Sequence, residues 1–342
     1  MLNVRWRAGA DKMNVCMVGH GMMGTWHSDS LKDFGCTLHT LVGREAPKTE
    51  AFAVDYEYRK WTTDYSAAVS DDEIDIIIIA GPSATHASMA IQALEAGKHV
   101  LVEIPLALNY PDALEVVELA ERLGLTLGVV HPMRFRREHV ELCKRVGAGE
   151  ENVRHVHSRL FLHRLENVGS TGLHRSWTDN LLWHHGAHLV DVGLWLAGGG
   201  VPQRAAARIT RSFAIMPPPL PKTGIPMELA AMIETDRQQT IVCTGSYHSQ
   251  ERMFDIFVVT DREAYRLDIL KGTLSLSGRE QPVQSEKENN AQVSRDFVSA
   301  VRGGKAPLVT GRSVLPAMSI LQSIEDEQAK WWDAHPDAEA RQ

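Results

Sequence analysis

Apolar residues in the first third of the chain fall into short unbroken runs, each followed by a stretch with helical spacing. Asn14–Val18 reads as a buried strand and Met22–Phe34 as the helix after it. Thr37–Val42 and Ala46–Val54 repeat the pair. Asp75–Ala80 is an isoleucine run of the kind found in central parallel strands. Ala84–Ala96 reads as a helix stopped by Gly97, and His99–Glu103 as the next strand. Helix Pro111–Leu123 and strand Leu125–Val130 follow. Alternation of this kind predicts an α/β domain with a doubly wound parallel sheet.

The pattern changes past about Arg134. Residues 135–147 have helical spacing, and Val153–Leu165 alternates. Val156, Leu160 and Leu162 share one side; His155, His157, Arg159, Phe161 and His163 share the other. Leu181–Leu196 reads as a helix. Strands then follow one another at 203–212, 226–235, 239–247, 253–260 and 263–269, with hairpin-like links at Thr235–Gln239 and Asp261-Arg262. This predicts an α+β domain with an open, mostly antiparallel sheet. Residues 284–301 and 313–330 read as closing helices. The expected division is 13–133 and 134–330, with 1–12 and 331–342 as flexible extensions and Met13 an equally good start.

Composition narrows the function. A chain of 342 residues is long enough for two cores. A net charge of −7 argues against a general nucleic-acid binder. No apolar run nears the ~20 residues of a membrane helix, and Met1–Lys12 lacks a leader's apolar stretch. Cys16, Cys36, Cys143 and Cys243 form no C-x-x-C pair, so the expectation is reduced thiols in a cytoplasmic protein. Nine of the 16 histidines lie between His131 and His188. Either they decorate a polar surface, or they mark a site handling protons or anions near neutral pH.

The first chemical motif is Gly19-His20-Gly21-Met22-Met23-Gly24, between a strand and a helix. Glycines there let the backbone approach a pyrophosphate, and the helix N-terminus offers N–H groups and partial positive charge. The second strand ends in Gly43-Arg44, where an NAD-specific site would carry an acid for the ribose 2′-hydroxyl. Arg44 suits a 2′-phosphate, so NADP is the expected cofactor, with NAD tolerated.

Asp75-Ile-Ile-Ile-Ile-Ala-Gly-Pro-Ser-Ala-Thr-His86 and Ala93-Leu-Glu-Ala-Gly-Lys-His-Val-Leu-Val-Glu-Ile-Pro-Leu-Ala107 resemble the Gfo/Idh/MocA oxidoreductases, from residue 14 to about 330. The resemblance implies that Gly81, Pro82, Ser83 and His86 line the cofactor. It implies that Glu103 and Pro105 lie near the nicotinamide, and that the open sheet forms a homodimer. The family usually reads Glu-Lys-Pro where this chain has Glu103-Ile104-Pro105. Its Asp-x-x-x-His pattern falls on His184-His185-Gly186-Ala187-His188, with Asp191 following. His188 is therefore the expected general base and His184 its partner, four residues away on one helical face. Imidazole is expected to titrate near working pH, and a second histidine to tune the first. The same pair could instead bind zinc, although no third ligand has an obvious spacing; no metal is expected.

Arg134, His163, Arg164, Arg175, Ser176, Trp177 and His185 are the expected substrate contacts. Several cations without the family's lysine suit a small anionic dicarboxylate better than a neutral sugar. The resemblance points to oxidation of its cyclic hemiacetal. A sugar or sugar-lactol dehydrogenase, and a regulator that binds NADP without catalysis, remain the alternatives.

Overall fold

Ile76–Ile79 are all fully buried, as only a strand covered on both faces allows. A computed structural model describes residues 12–168, 180–283 and 286–335. The first sheet is parallel throughout. Its strands are β1 (Met13–Val18), β2 (Cys36–Val42), β3 (Lys60–Thr62), β4 (Ile76–Ile79), β5 (His99–Val102) and β6 (Leu127–Val129). They lie in the order β3-β2-β1-β4-β5-β6. This is the doubly wound arrangement, with its switch point beside β1 and β4.

Helices α1 (Met22–Leu31), α2 (Ala46–Asp55), α3 (Tyr65–Val69), α4 (His86–Glu95) and α5 (Tyr110–Leu123) make the crossovers. The punctuation is local. Asn109 caps α5 by accepting a hydrogen bond from the Asp112 N–H, and Gly124 ends the helix in the left-handed region at φ 66°. Only β3 and α3 are absent from the sequence reading. β3 is a three-residue polar edge strand, too short to show a period.

Beyond α6 (Arg137–Gly147) lies the second sheet. It comprises β7 (Val153–His163), β8 (Ile209–Ile215), β9 (Glu228–Thr235), β10 (Thr240–Ser246), β11 (His248–Thr260), β12 (Ala264–Asp268), β13 (Thr273–Leu276) and β14 (Arg279–Pro282). The order is β14-β13-β12-β11-β7-β10-β9-β8. Among these pairs only β7 and β10 run parallel. On β7, Val156, Ser158 and Leu160 are buried on the side that carries α7 (Ala187–Ala197), while His155, His157, Arg159 and Phe161 are half-exposed on the other.

Three expectations change. The strand placed at 203–212 begins later, because Pro202 opens a short helix, α8 (Pro202–Ala206), before β8. The helix placed at Leu181–Leu196 opens with a π turn over Leu182–Gly186 before α7. β13 and β14 are additional, and β14 is exposed along its whole length.

The closing helices α9 (Glu286–Arg302) and α10 (Gly311–Ala334) return to the first sheet's layer. Ser294 and Arg295 of α9 bond His27 and the Ser30 carbonyl of α1. Gln322 of α10 accepts from the Tyr110 N–H at the start of α5. No helix among the described residues is long and apolar enough to cross a membrane.

Candidate active site

Parallel strands present their carboxyl ends along one edge, where ligands of such sheets bind. In spatial order that edge carries Gly43-Arg44 after β2, Gly19–Gly24 after β1, Gly81–Ser83 after β4, Glu103 after β5 and His131 after β6. Residues far apart in sequence thus form one row.

The glycine loop fits a dinucleotide. Gly19 has φ +100°, and a Cβ on it would stand 2.6 Å from the Ala80 carbonyl oxygen. A Cβ on Gly24 would overlap the Gly19 carbonyl oxygen, so α1 can approach the strand only with glycine there. Gly21 caps α1 without a side-chain hydrogen bond, and the first turn, Met22 and Met23 included, holds no acid. Its N–H groups are therefore left for a pyrophosphate. His20 is half-buried beside Thr49 and Phe52; a Cβ on Gly43 would lie 2.6 Å from its ring. Arg44 is exposed and makes no hydrogen bond or ion pair among the described residues. Its neighbour Glu45 is paired with Lys48 at 2.8 Å, which lowers the Glu45 pKa.

Two expected cofactor contacts are braces instead. His86 is buried, with Nδ1 2.7 Å from the Pro105 carbonyl and Nε2 3.1 Å from the Gly81 carbonyl. Both ring nitrogens are occupied, so His86 ties the loop after β4 to the buried Pro105 rather than offering a bond to a ligand. Glu103 is buried too. Its carboxylate lies 2.8 Å from His27 Nε2, and the other nitrogen of that ring is 2.5 Å from Ser294 Oγ. Ile104, at the family's lysine position, is buried and supplies no ammonium.

The histidine cluster stands at the β6 end of the row. His184, His185 and His188 are each partly buried, on the π turn and α7. The His184 and His185 rings meet edge to face with centroids 4.3 Å apart, and His185 Nδ1 is 2.7 Å from the Tyr247 hydroxyl. His188 faces His131 at 5.8 Å. Burial pushes the His188 pKa down from 6.5 to about 3, helped by His131 and His184 and opposed by Asp191. The expectation of titration near neutrality is overturned, and His184 does tune its neighbour in the expected direction. His185 is likewise held well below its ordinary value, by burial, His184, His188, Arg164 and Arg252.

Arg134 is the second correction. It is almost wholly buried, and its guanidinium makes a fork on Asp191: Nε donates to Oδ2 at 2.8 Å and Nη2 to Oδ1. Nη1 donates to the hydroxyl of Ser313 and Nη2 also to its carbonyl. A guanidinium so committed anchors α7 and α10 and cannot grip a substrate carboxylate. Asp191 is held far below the usual carboxylate range, because the Arg134 guanidinium and the hydrogen bonds from His131 and Arg134 outweigh its burial.

His163 and Arg164 stand at the end of β7. Gln250 Nε2 is 2.9 Å from His163 Nδ1, while Arg164 donates to Asn167 and lies 5.6 Å over the Tyr247 ring. Arg175, Ser176 and Trp177 lie outside the described residues. Sequence reasoning missed His131, Tyr247 and Arg252. Only histidine density hinted at the first, and nothing local marked the others.

Comparison with known proteins agrees with this geometry. Residues 13–131 match the model of the Gfo/Idh/MocA oxidoreductase family, NAD-binding Rossmann fold, and residues 138–278 match that of bacterial oxidoreductases, C-terminal. The chain is 30% identical over 327 residues to 4-carboxy-2-hydroxymuconate-6-semialdehyde dehydrogenase of Sphingobium sp. strain NBRC 103272 / SYK-6, covering 93% of this chain and 99% of that one. An oxidoreductase domain protein from Kribbella flavida shares the fold, with a TM-score of 0.80 at 19% identity over 94% of this chain and 98% of the other. So does levoglucosan dehydrogenase in complex with NADH and levoglucosan, with a TM-score of 0.77 at 16% identity over 93% and 98%. A Rossmann sheet with its glycine loop, the mixed second sheet and the whole-length match agree: the chain is an NAD(P)-dependent oxidoreductase of the Gfo/Idh/MocA family.

Proposed function

We propose that the protein oxidises 4-carboxy-2-hydroxymuconate-6-semialdehyde, closed as its cyclic hemiacetal, to 2-pyrone-4,6-dicarboxylate with NADP, in protocatechuate 4,5-cleavage. The carrying observation is the match along 99% of the Sphingobium dehydrogenase. The residues support it. A lactol hydroxyl is more acidic than a plain alcohol, so a site with Ile104 in place of lysine can still deprotonate it. His188, neutral across the working range, takes the hydroxyl proton. When bound, the nicotinamide accepts the hydride. Arg164, with Arg252 beside it, gives the mouth of the cluster positive charge for two carboxylates, and His163 and His185 add ring nitrogens for hydrogen bonds. Arg44 favours the 2′-phosphate of NADP.

Mixing the protein with NADP and the semialdehyde should raise the near-ultraviolet absorbance of reduced nicotinamide. No rise there, with a rise on levoglucosan or inositol, would replace the dicarboxylate by a sugar. Cofactor binding without turnover on any of them would make the protein a regulator.

The open face of the second sheet is proposed as a homodimer interface. Cross-strand register aligns Phe213, Met232, Val242, His157 and Phe257 in one row across five strands. Phe213 and Met232 are 63% and 52% exposed in the single chain, a contiguous apolar stripe of the kind that marks an interface. Phe213→Glu with Met232→Glu should halve the mass seen by sedimentation; an unchanged mass would place any contact elsewhere.

A further inference from the structure

A histidine acting as a base normally has its second nitrogen held by a carboxylate or carbonyl, which fixes the tautomer and steadies the cation that forms. In this cluster the carboxylate serves a different ring from the expected one. Asp191 Oδ2 lies 3.1 Å from Nδ1 of His131, whereas the buried Nδ1 of His188 has no hydrogen-bond partner among the described residues. His131 comes from the first domain, directly after β6, and Asp191 from α7. The His131 and His188 rings are neighbours, edge to face with their centroids 5.8 Å apart.

We propose that His131, oriented by Asp191, is the residue on which the substrate's proton comes to rest, with His188 passing it on through one water. This rests on the dehydrogenation proposed above, whatever the hydroxy substrate. The O–H bond breaks and its proton goes to Nε2 of His188. The C–H electron pair leaves as hydride to the nicotinamide, and the C=O bond forms. His188, kept neutral chiefly by its burial, is a poor place to keep the proton. The water carries it to Nε2 of His131, whose Nδ1–H donates to Asp191. The groups facing His131 are His188 and Asp191 of α7 and, through Asp191, Arg134. Proton removal is thereby tied to domain contact, because the acceptor ring and its carboxylate come from different domains.

Two measurements on the full chain test this. Long-range nitrogen–proton NMR of the histidine rings, without cofactor, should show His131 protonated on Nδ1 and bare on Nε2, the signal being assigned by its loss in His131→Asn. A proton on Nε2 with Nδ1 bare would overturn the proposal whether or not a substrate is known. His131→Asn keeps an N–H near Asp191 but cannot accept a proton. With any substrate the parent enzyme oxidises, its kcat should fall by about 10²–10⁴-fold at unchanged KM and cofactor affinity. Added imidazole should restore part of that loss in His131→Asn and do nothing for the parent. Parental kcat in His131→Asn, or a loss that imidazole does not touch and that comes with a lowered melting temperature, would also overturn it.

Discussion

The carboxyl edge of the parallel sheet and the cluster around α7 solve opposite problems. Along the edge from β2 to β4 the fit to a ligand is made by backbone: glycines at Gly19 and Gly24, bare N–H groups at the start of α1, and a loop braced by His86. Around α7 it is made by side chains from both domains competing for one buried carboxylate, Asp191. The first arrangement binds by shape and dipole and carries few buried charges. The second keeps an ion pair, four imidazoles and a tyrosine hydroxyl close together, and burial with their mutual proximity holds the His185 and His188 pKa values down. Binding and proton handling should therefore fail separately when one region is damaged.

The sharpest way to break the comparison is a pair of substitutions. His188→Ala should lower kcat by about 10²–10⁴-fold, the usual contribution of a general base, and leave the cofactor dissociation constant unchanged in a fluorescence titration. Gly24→Ala places a methyl against the Gly19 carbonyl oxygen. It should abolish measurable cofactor binding while the His188 region keeps its NMR signals. If each variant lost both properties, the two regions would form one cooperative unit.

The difference also governs what could be read in advance. The glycine loop occupies six consecutive residues, and its requirements are local, so Gly19, Gly21 and Gly24 were legible without a structure. The isoleucines of β4 and the alternation along β7 were legible for the same reason. The Arg134–Asp191 fork joins residues 57 apart, and no spacing rule links His131 to α7. Arg134 in sequence is indistinguishable from an anion-binding arginine; only its near-complete burial and the Asp191 and Ser313 bonds show that it is committed inside the fold. Likewise His86 reads as a ligand contact until both ring nitrogens are seen against carbonyls. β3 and β14 stayed hidden because short polar edge strands have no buried face to impose a period.

A smaller effect follows from the cluster's charge balance. His188 is shifted down to about 3, and His139, buried on α6 with Nδ1 2.9 Å from the Met133 carbonyl, to about 4, each mainly by burial; His185 moves the same way. Between those values and 6.5 the unfolded chain binds protons that the native chain refuses, so stability rises with pH across that window. The denaturant midpoint should therefore fall steadily as pH drops from about 6.5 towards 4, before most carboxylates titrate. His188→Gln should flatten part of that slope. A midpoint constant down to pH about 4.5 would mean the imidazoles already sit with protons in the native cluster.

The mildest test belongs to the edge. Arg44 follows β2 directly, is exposed, and is free of competing bonds among the described residues, while Glu45 is occupied by Lys48. A charge-assisted bond to a 2′-phosphate contributes about 1.5–3 kcal/mol, equivalent to about 10–100-fold in affinity. Solvent exposure pulls the expectation to the lower end, and salt should weaken it further. Arg44→Ala should thus raise the NADP dissociation constant about tenfold at low ionic strength and leave NAD unchanged. An equal loss for both cofactors would mean that Arg44 supports the loop after β2 rather than choosing between nucleotides. On the proposal that the glycine loop holds the pyrophosphate common to both, the choice between them falls to this strand end.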